Sequence, residues 1–173
     1  ARNHLGISEA DGSRLLGHLS LLFIVFALPA GLIGGKVGRR ATILTGILLL
    51  ASMIFGISIA PASTLTSVLT KLPVLGEILG ISIFLMIAGI AWALININSL
   101  PMVVDMTSAA RIGTFTGLYY LFSTLSAIMG PISNGALIQL AGNNYNILMQ
   151  FAPVTLLIAF VLMLGVKRGE ATA

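Results

Sequence analysis

Two groups of side chains in this 173-residue sequence have types and spacings that could do chemistry, and both are built from amides, hydroxyls and aromatic rings. Trp92, Asn96 and Ser99 fall at spacings of four and three, so on a helix they share one face, an aromatic platform beside an amide and a hydroxyl. Such a face suits a polar solute, its apolar ring side on the indole and its hydroxyls on the amide. Thr116, Tyr120, Ser123, Ala127, Gly130 and Asn134 repeat the same spacing as a second stripe. That stripe serves a cavity wall or the packing of a neighbouring helix through small residues and interhelical hydrogen bonds, and the two roles weigh equally. Lys36, Arg39 and Arg40 crowd three of the nine Lys and Arg residues into five positions. Asp105 and Arg111 make a candidate gating or anchoring pair near that cluster, against the default of a solvated ion pair worth under about 1 kcal/mol. His18 sits one turn inside an apolar run, where a satisfied buried or interfacial histidine outweighs a proton relay. His4 has no visible partner. There is no H-E-x-x-H, no pair of carboxylates inside the apolar runs and no histidine in a nucleophile motif, so the residues argue against an enzyme. Zero cysteines exclude disulfides and thiolate metal sites, and neither cofactor nor metal is expected.

The elements that must position these residues are set by the solvent. With 57% hydrophobic and 8% charged residues and a mean hydropathy of +1.06, the chain is expected in a bilayer. A net charge of +4 and a pI near 10.0 would suggest nucleic acid in a soluble domain. Here the cations stand at the ends of apolar runs, which points to anionic lipid headgroups and away from nucleic acid. Lipid admits only helices or closed barrels, and the runs lack a barrel's alternation. An all-α integral membrane domain follows, with spans near residues 9–35, 40–60, 78–104, 112–140 and 145–166 and negligible β structure.

Ser8 to Asp11 has the Ser-x-x-acid pattern of a helix start, and Pro29 bends the first span. Ala27, Gly31 and Gly35 recur every four residues, a face that lets a neighbouring helix approach closely, and Gly38 supplies a tight turn. The second span carries only Thr42, Thr45 and Ser52, which can bond back to their own helix, and reads as lipid-facing. Leu65, Val68, Leu69 and Leu72 suggest a short helix lying in the outer interface between Pro61 and Glu77. The third span is long enough to tilt or project from the bilayer, and Pro101 with Asn96 and Asn98 puts a kink and a polar lining toward its inner end. Gly130 and Pro131 interrupt the fourth. Placing the Lys36–Arg40 loop inside gives six inner cations, Lys36, Arg39, Arg40, Arg111, Lys167 and Arg168, against Arg2, Arg14 and Lys71 outside. The loop and the C-terminus are thus expected in the cytoplasm and the N-terminus outside a cell, or inner, membrane.

Gly31, Lys36, Gly38, Arg39 and Arg40 match a loop signature, Gly, three residues, Asp, Arg or Lys, any residue, Gly, Arg, then Arg or Lys. On those residues the chain resembles the major facilitator superfamily of secondary transporters, whose signature joins the second and third helices of each six-helix half. The family's Asp falls on Gly35, so its carboxylate latch is not carried over. Degenerate copies of the loop belong mostly to second halves, which implies helices eight to twelve. The stretch Gly89–Gly130, with AWALININSLPMVVD and RIGTFTGLYYLFS, resembles the sugar and cation symporters related to the sucrose carriers. The resemblance implies alternating access for a small polar solute, a sugar in that branch, with H+ or Na+ as coupling ion, and a partner in the remaining half or a second copy. It also implies that the bare second and fifth spans lie outside while the polar third and fourth line the cavity. A six-helix half needs a helix before Ala1, so the chain reads as a fragment or half-transporter lacking that first helix, and its last seven residues read as a terminal tail. Gly130, Pro131 and Gly135 are similar to the Gly-Pro-x-x-Gly-Gly signature of drug and proton antiporters, with Asn134 in place of one glycine. This keeps open helices two to six of such an antiporter, and a small structural membrane subunit is the third reading.

Overall fold

The computed structural model describes residues 9–73 and 75–166. Expectations for Arg2, His4, Ser8, Lys167, Arg168 and the two chain ends lie outside the described residues. The apolar runs form α1 (Glu9–Val37) and α2 (Arg39–Ile59), then a short α3 (Ala62–Thr66) and an antiparallel hairpin of β1 (Val68–Leu72) and β2 (Gly76–Leu79). The chain continues as α4 (Gly80–Asp105), one 3-10 turn at Ala109–Arg111, α5 (Ile112–Leu140) and α6 (Asn146–Leu164). Among the described residues, five helices are long and apolar enough to cross a membrane. Each satisfies most of its backbone within the segment, as lipid requires, and α5 runs through Gly130 and Pro131 without the expected interruption.

The connection after α2 corrects two expectations. Of Leu65, Val68, Leu69 and Leu72 only Leu65 lies in a helix, the short α3, where it is completely buried; Val68, Leu69 and Leu72 are exposed on β1, and a hairpin stands where negligible β structure was expected. Pro73 disfavours a helix through the turn, and Gly76 at φ 69° gives the tight return that lets Lys71 pair with Glu77 at 2.6 Å across the hairpin.

α1 and α4 run side by side in the same direction: His18 meets Ser82 near their starts, and Ala30 meets Asn98 toward their ends. Glycine makes this closeness possible. A Cβ at Gly34 would overlap Asn98 Oδ1, and one at Gly89 would overlap the Leu19 carbonyl. The close face therefore runs through Ala30, Gly31 and Gly34, while Gly35, expected to share it, faces open space. Gly38, at φ 105°, breaks α1 from α2 in backbone that residues with a Cβ rarely adopt.

α2 packs antiparallel on α4 and against α6, with Ile43, Ile47 and Met102 buried beside Leu156, Phe160 and Met163. The lipid-facing reading of the second span is corrected for this face, because Gly46 admits the Ala91 carbonyl and Ile95 to close range. Leu48, Phe55 and Ile59 keep its opposite face exposed. Thr42, Thr45 and Ser52 do bond back to carbonyls of residues 38, 41 and 49. α5 is the outlier, for none of its residues is buried.

Candidate functional site: a groove between two helices

α4 is seated at its start by a local network. Ser82 Oγ accepts the Leu79 N–H at 3.0 Å and also meets His18 Nδ1 at 3.2 Å. His18 Nε2 lies 3.0 Å from the Leu75 carbonyl, which can only accept, so Nε2 carries the proton and Nδ1 accepts from the Ser82 hydroxyl. The imidazole is thus buried and satisfied, tying α1 to the hairpin and to α4. Toward its other end α4 is held on α1 by Asn98, completely buried, whose Nδ2 donates to the carbonyls of Ala30 at 3.0 Å and Leu94 at 2.9 Å. Its Oδ1 lies against Gly34 and accepts no bond among the described residues.

With that face of α4 fixed on α1, the face bearing Trp92, Asn96 and Ser99 turns toward α5. A groove of about 820 Å³ runs between the two helices, walled by these three side chains and, from α5, by Phe115, Tyr119 and Phe122. Ser123, Ser126 and Ala127 continue the α5 wall. Of the residues singled out by spacing, Trp92, Asn96, Ser99, Ser123 and Ala127 come together here. Thr116, Tyr120 and Asn134 do not line the groove. Tyr119 takes the place expected for Tyr120, which is exposed and stands edge-on to its neighbour with ring centroids 5.5 Å apart. The signal for this wall is a second stripe, Phe115, Tyr119, Phe122 and Ser126 at spacings of four, three and four, which is marked by aromatic rings more than by polar groups. Asn98 was expected to share a polar lining with Asn96, but two positions turn a helical side chain to the opposite side, into the α1 contact.

Three polar groups on the wall are engaged with their own helices. Asn96 Nδ2 donates to the Trp92 carbonyl at 3.2 Å, Ser99 Oγ to that of Ile95 at 2.6 Å, and Ser126 Oγ to that of Phe122 at 2.8 Å. Among the described residues, the groove lining contains no charged side chain. Trp92 is 46% exposed, so its indole is open to an incoming molecule.

The cationic loop forms a second cluster at the far end of α1. Arg39 Nε donates to Asp105 Oδ2 at 2.5 Å, joining the start of α2 to the end of α4. Arg40 Nη2 donates to the Leu164 carbonyl at 2.9 Å and caps the last turn of α6. The pair expected between Asp105 and Arg111 is therefore corrected to Asp105 and Arg39. Asp105 ends α4 on its packed side, whereas Arg111 lies exposed where the chain leaves for α5. Lys36 is exposed beside a hollow of about 210 Å³ that also includes Gly35, Gly38 and the ion pair. No group of three His, Cys, Asp or Glu side chains among the described residues could hold a metal ion.

Compared with known proteins, the chain matches the family model described as Major Facilitator Superfamily over residues 1–173. No curated protein matches it.

Proposed function

Because this chain belongs to the major facilitator superfamily, whose members are secondary transporters, we propose that the groove between α4 and α5 is part of a solute pathway. The observation that carries this reading is Asn96, whose side-chain oxygen accepts no hydrogen bond among the described residues and stands beside an exposed indole, in a membrane helix where an amide must face protein or a water-filled cavity. A small polar solute would dock there, and alternating access would move it while α1, α2 and α4 travel as one packed body. The sugar reading draws its support from the Trp92 and Asn96 platform and from the resemblance to sugar and cation symporters. In the same proposal the Lys36–Arg40 loop is cytoplasmic, the chain supplies helices eight to twelve, and the remaining half or a second copy contributes the opposite wall. That partner also contributes the site for a coupling H+ or Na+.

The test is uptake by the full-length protein. Asn96→Leu should abolish uptake while folded protein remains in the membrane, because Asn96 bonds only within its own helix and holds no neighbour in place. Uptake retained in Asn96→Leu and in Trp92→Leu alike would support a structural subunit instead.

A further inference from the structure

Resting on the reading of the groove as a solute pathway, we infer that the groove seals itself: when no solute occupies it, α5 closes reversibly onto α4 and the polar groups of the two walls bond to one another. The first observation is depth. The short connection at residues 106–111 makes α4 and α5 antiparallel neighbours, so residues equally far from Asp105 and from Ile112 stand level. Trp92 and Ala127 are 13 and 15 residues from those ends, Asn96 and Ser123 are 9 and 11, and Ser99 and Tyr119 are 6 and 7. At about 1.5 Å per residue the members of each pair are level within about 3 Å. All six residues line the groove.

The second observation is that each level pair sets a donor against an acceptor. The Trp92 indole can only donate. Across from it, the Ala127 carbonyl lacks its regular helical donor, because Pro131, four residues on, has no N–H, and the proline ring pushes that carbonyl outward. The Ser123 hydroxyl has no partner among the described residues and stands level with Asn96 Oδ1, which accepts no bond among them. Ser99 has given its one proton to the Ile95 carbonyl and so faces the groove as an acceptor, and Tyr119 opposite brings a phenolic O–H. The third observation is freedom to move. None of the residues of α5 is buried, and a Cβ added at Gly113, Gly117, Gly130 or Gly135 would meet nothing within 4 Å. Unmatched polar groups are costly at membrane depth, and one approach of α5 to α4 matches all three pairs. A solute reopens the groove by supplying bonds of its own in their place.

Val103 and Phe115 can report the closure, because they line the groove 2 and 3 residues from the same helix ends and take no part in the polar pairs. In the full-length protein in lipid nanodiscs, with any cysteines elsewhere replaced, Val103→Cys with Phe115→Cys should form a disulfide under copper phenanthroline, which requires Cα atoms within about 7 Å. Val103→Cys with Phe122→Cys, on the same face but about 10 Å further along α5, should not. Within the first cysteine pair, Asn96→Leu or Ser123→Ala should each slow cross-linking roughly fivefold, the effect of one neutral hydrogen bond, and the two together should slow it no more than either alone. Pro131→Ala, which returns an N–H to the Ala127 carbonyl, should slow it as well. No disulfide between positions 103 and 115, or equal disulfides in both cysteine pairs, would overturn the closure. So would cross-linking that none of the polar variants slows, or slowing by Asn96→Leu and Ser123→Ala that multiplies in the double variant. All of these leave the solute pathway standing, since that reading is decided by uptake in Asn96→Leu and Trp92→Leu.

Discussion

Two asparagines two positions apart on α4 have opposite duties, and substitution should separate them. Asn98 Nδ2 bonds the Ala30 carbonyl from a fully buried position and its Oδ1 lies where a Cβ on Gly34 would be, so Gly34→Ala must displace it. We expect Gly34→Ala to cost about 1–3 kcal/mol, as overpacked cores do, read as a lower thermal midpoint in detergent. Gly34→Ala combined with Asn98→Ala should recover part of that loss, because the clash is removed. Simple additivity of the two changes would refute the contact. Asn96→Leu, by contrast, should leave the midpoint within about 0.5 kcal/mol of wild type, since nothing outside its own helix depends on it. The α4 half of the candidate site was legible in the sequence because Trp92, Asn96 and Ser99 are phased against one another on one helix. The α5 half was not. Choosing Tyr119 over Tyr120 requires knowing how α5 is rotated about its axis, and that is set by a neighbour's position, which periodicity does not carry.

The α1–α4 pair is tied near both ends, by His18 to Ser82 and by Asn98 to Ala30, with glycines at the close approaches between. His18→Leu should release the Leu75 carbonyl and the Ser82 hydroxyl together. Amide hydrogen exchange should then rise across the hairpin, residues 68–79, while α2 keeps its protection; uniform loss across the bundle would contradict this local role. At the other end Arg39→Asp or Asp105→Arg alone should destabilise by about 2 kcal/mol, and the two together should regain much of it by remaking the pair with reversed polarity. Failure of the double exchange to recover would show that the guanidinium geometry, rather than charge, is what the site requires. The helices themselves were readable, with all five long ones ending within two residues of expectation at both ends, because apolar length is a property of the run alone. The hairpin was not, since Leu65, Val68, Leu69 and Leu72 fit a helical spacing as well as strand positions. Pro73 and the turn at Gly76 decide between them.

At the scale of the molecule, α1, α2, α4 and α6 form the packed part and α5 stands against it with its whole length unburied. Because the sequence holds no cysteine, single replacements within it can be labelled without background from these residues. Ser123→Cys and Ser99→Cys, on the groove, should react with a water-soluble maleimide in intact membranes, and Phe55→Cys, on the outer face of α2, should not. Failure of Ser123→Cys and Ser99→Cys to react, like Phe55→Cys, would mean that the groove is closed to water. The bond from Arg40 to the Leu164 carbonyl spans 124 residues, and it has a consequence in time. A ribosome adding about 5–20 residues per second needs roughly 6 to 25 s to reach Leu164 after making Arg40. During that interval the apolar face of α2 that will meet α6 can rest in lipid at little cost, but the guanidinium beside it has no carbonyl to bind. Until the last helix is inserted, headgroup phosphate or water must hold Arg40 at the surface, so the nascent α2 is pinned at its basic end before it is packed along its length.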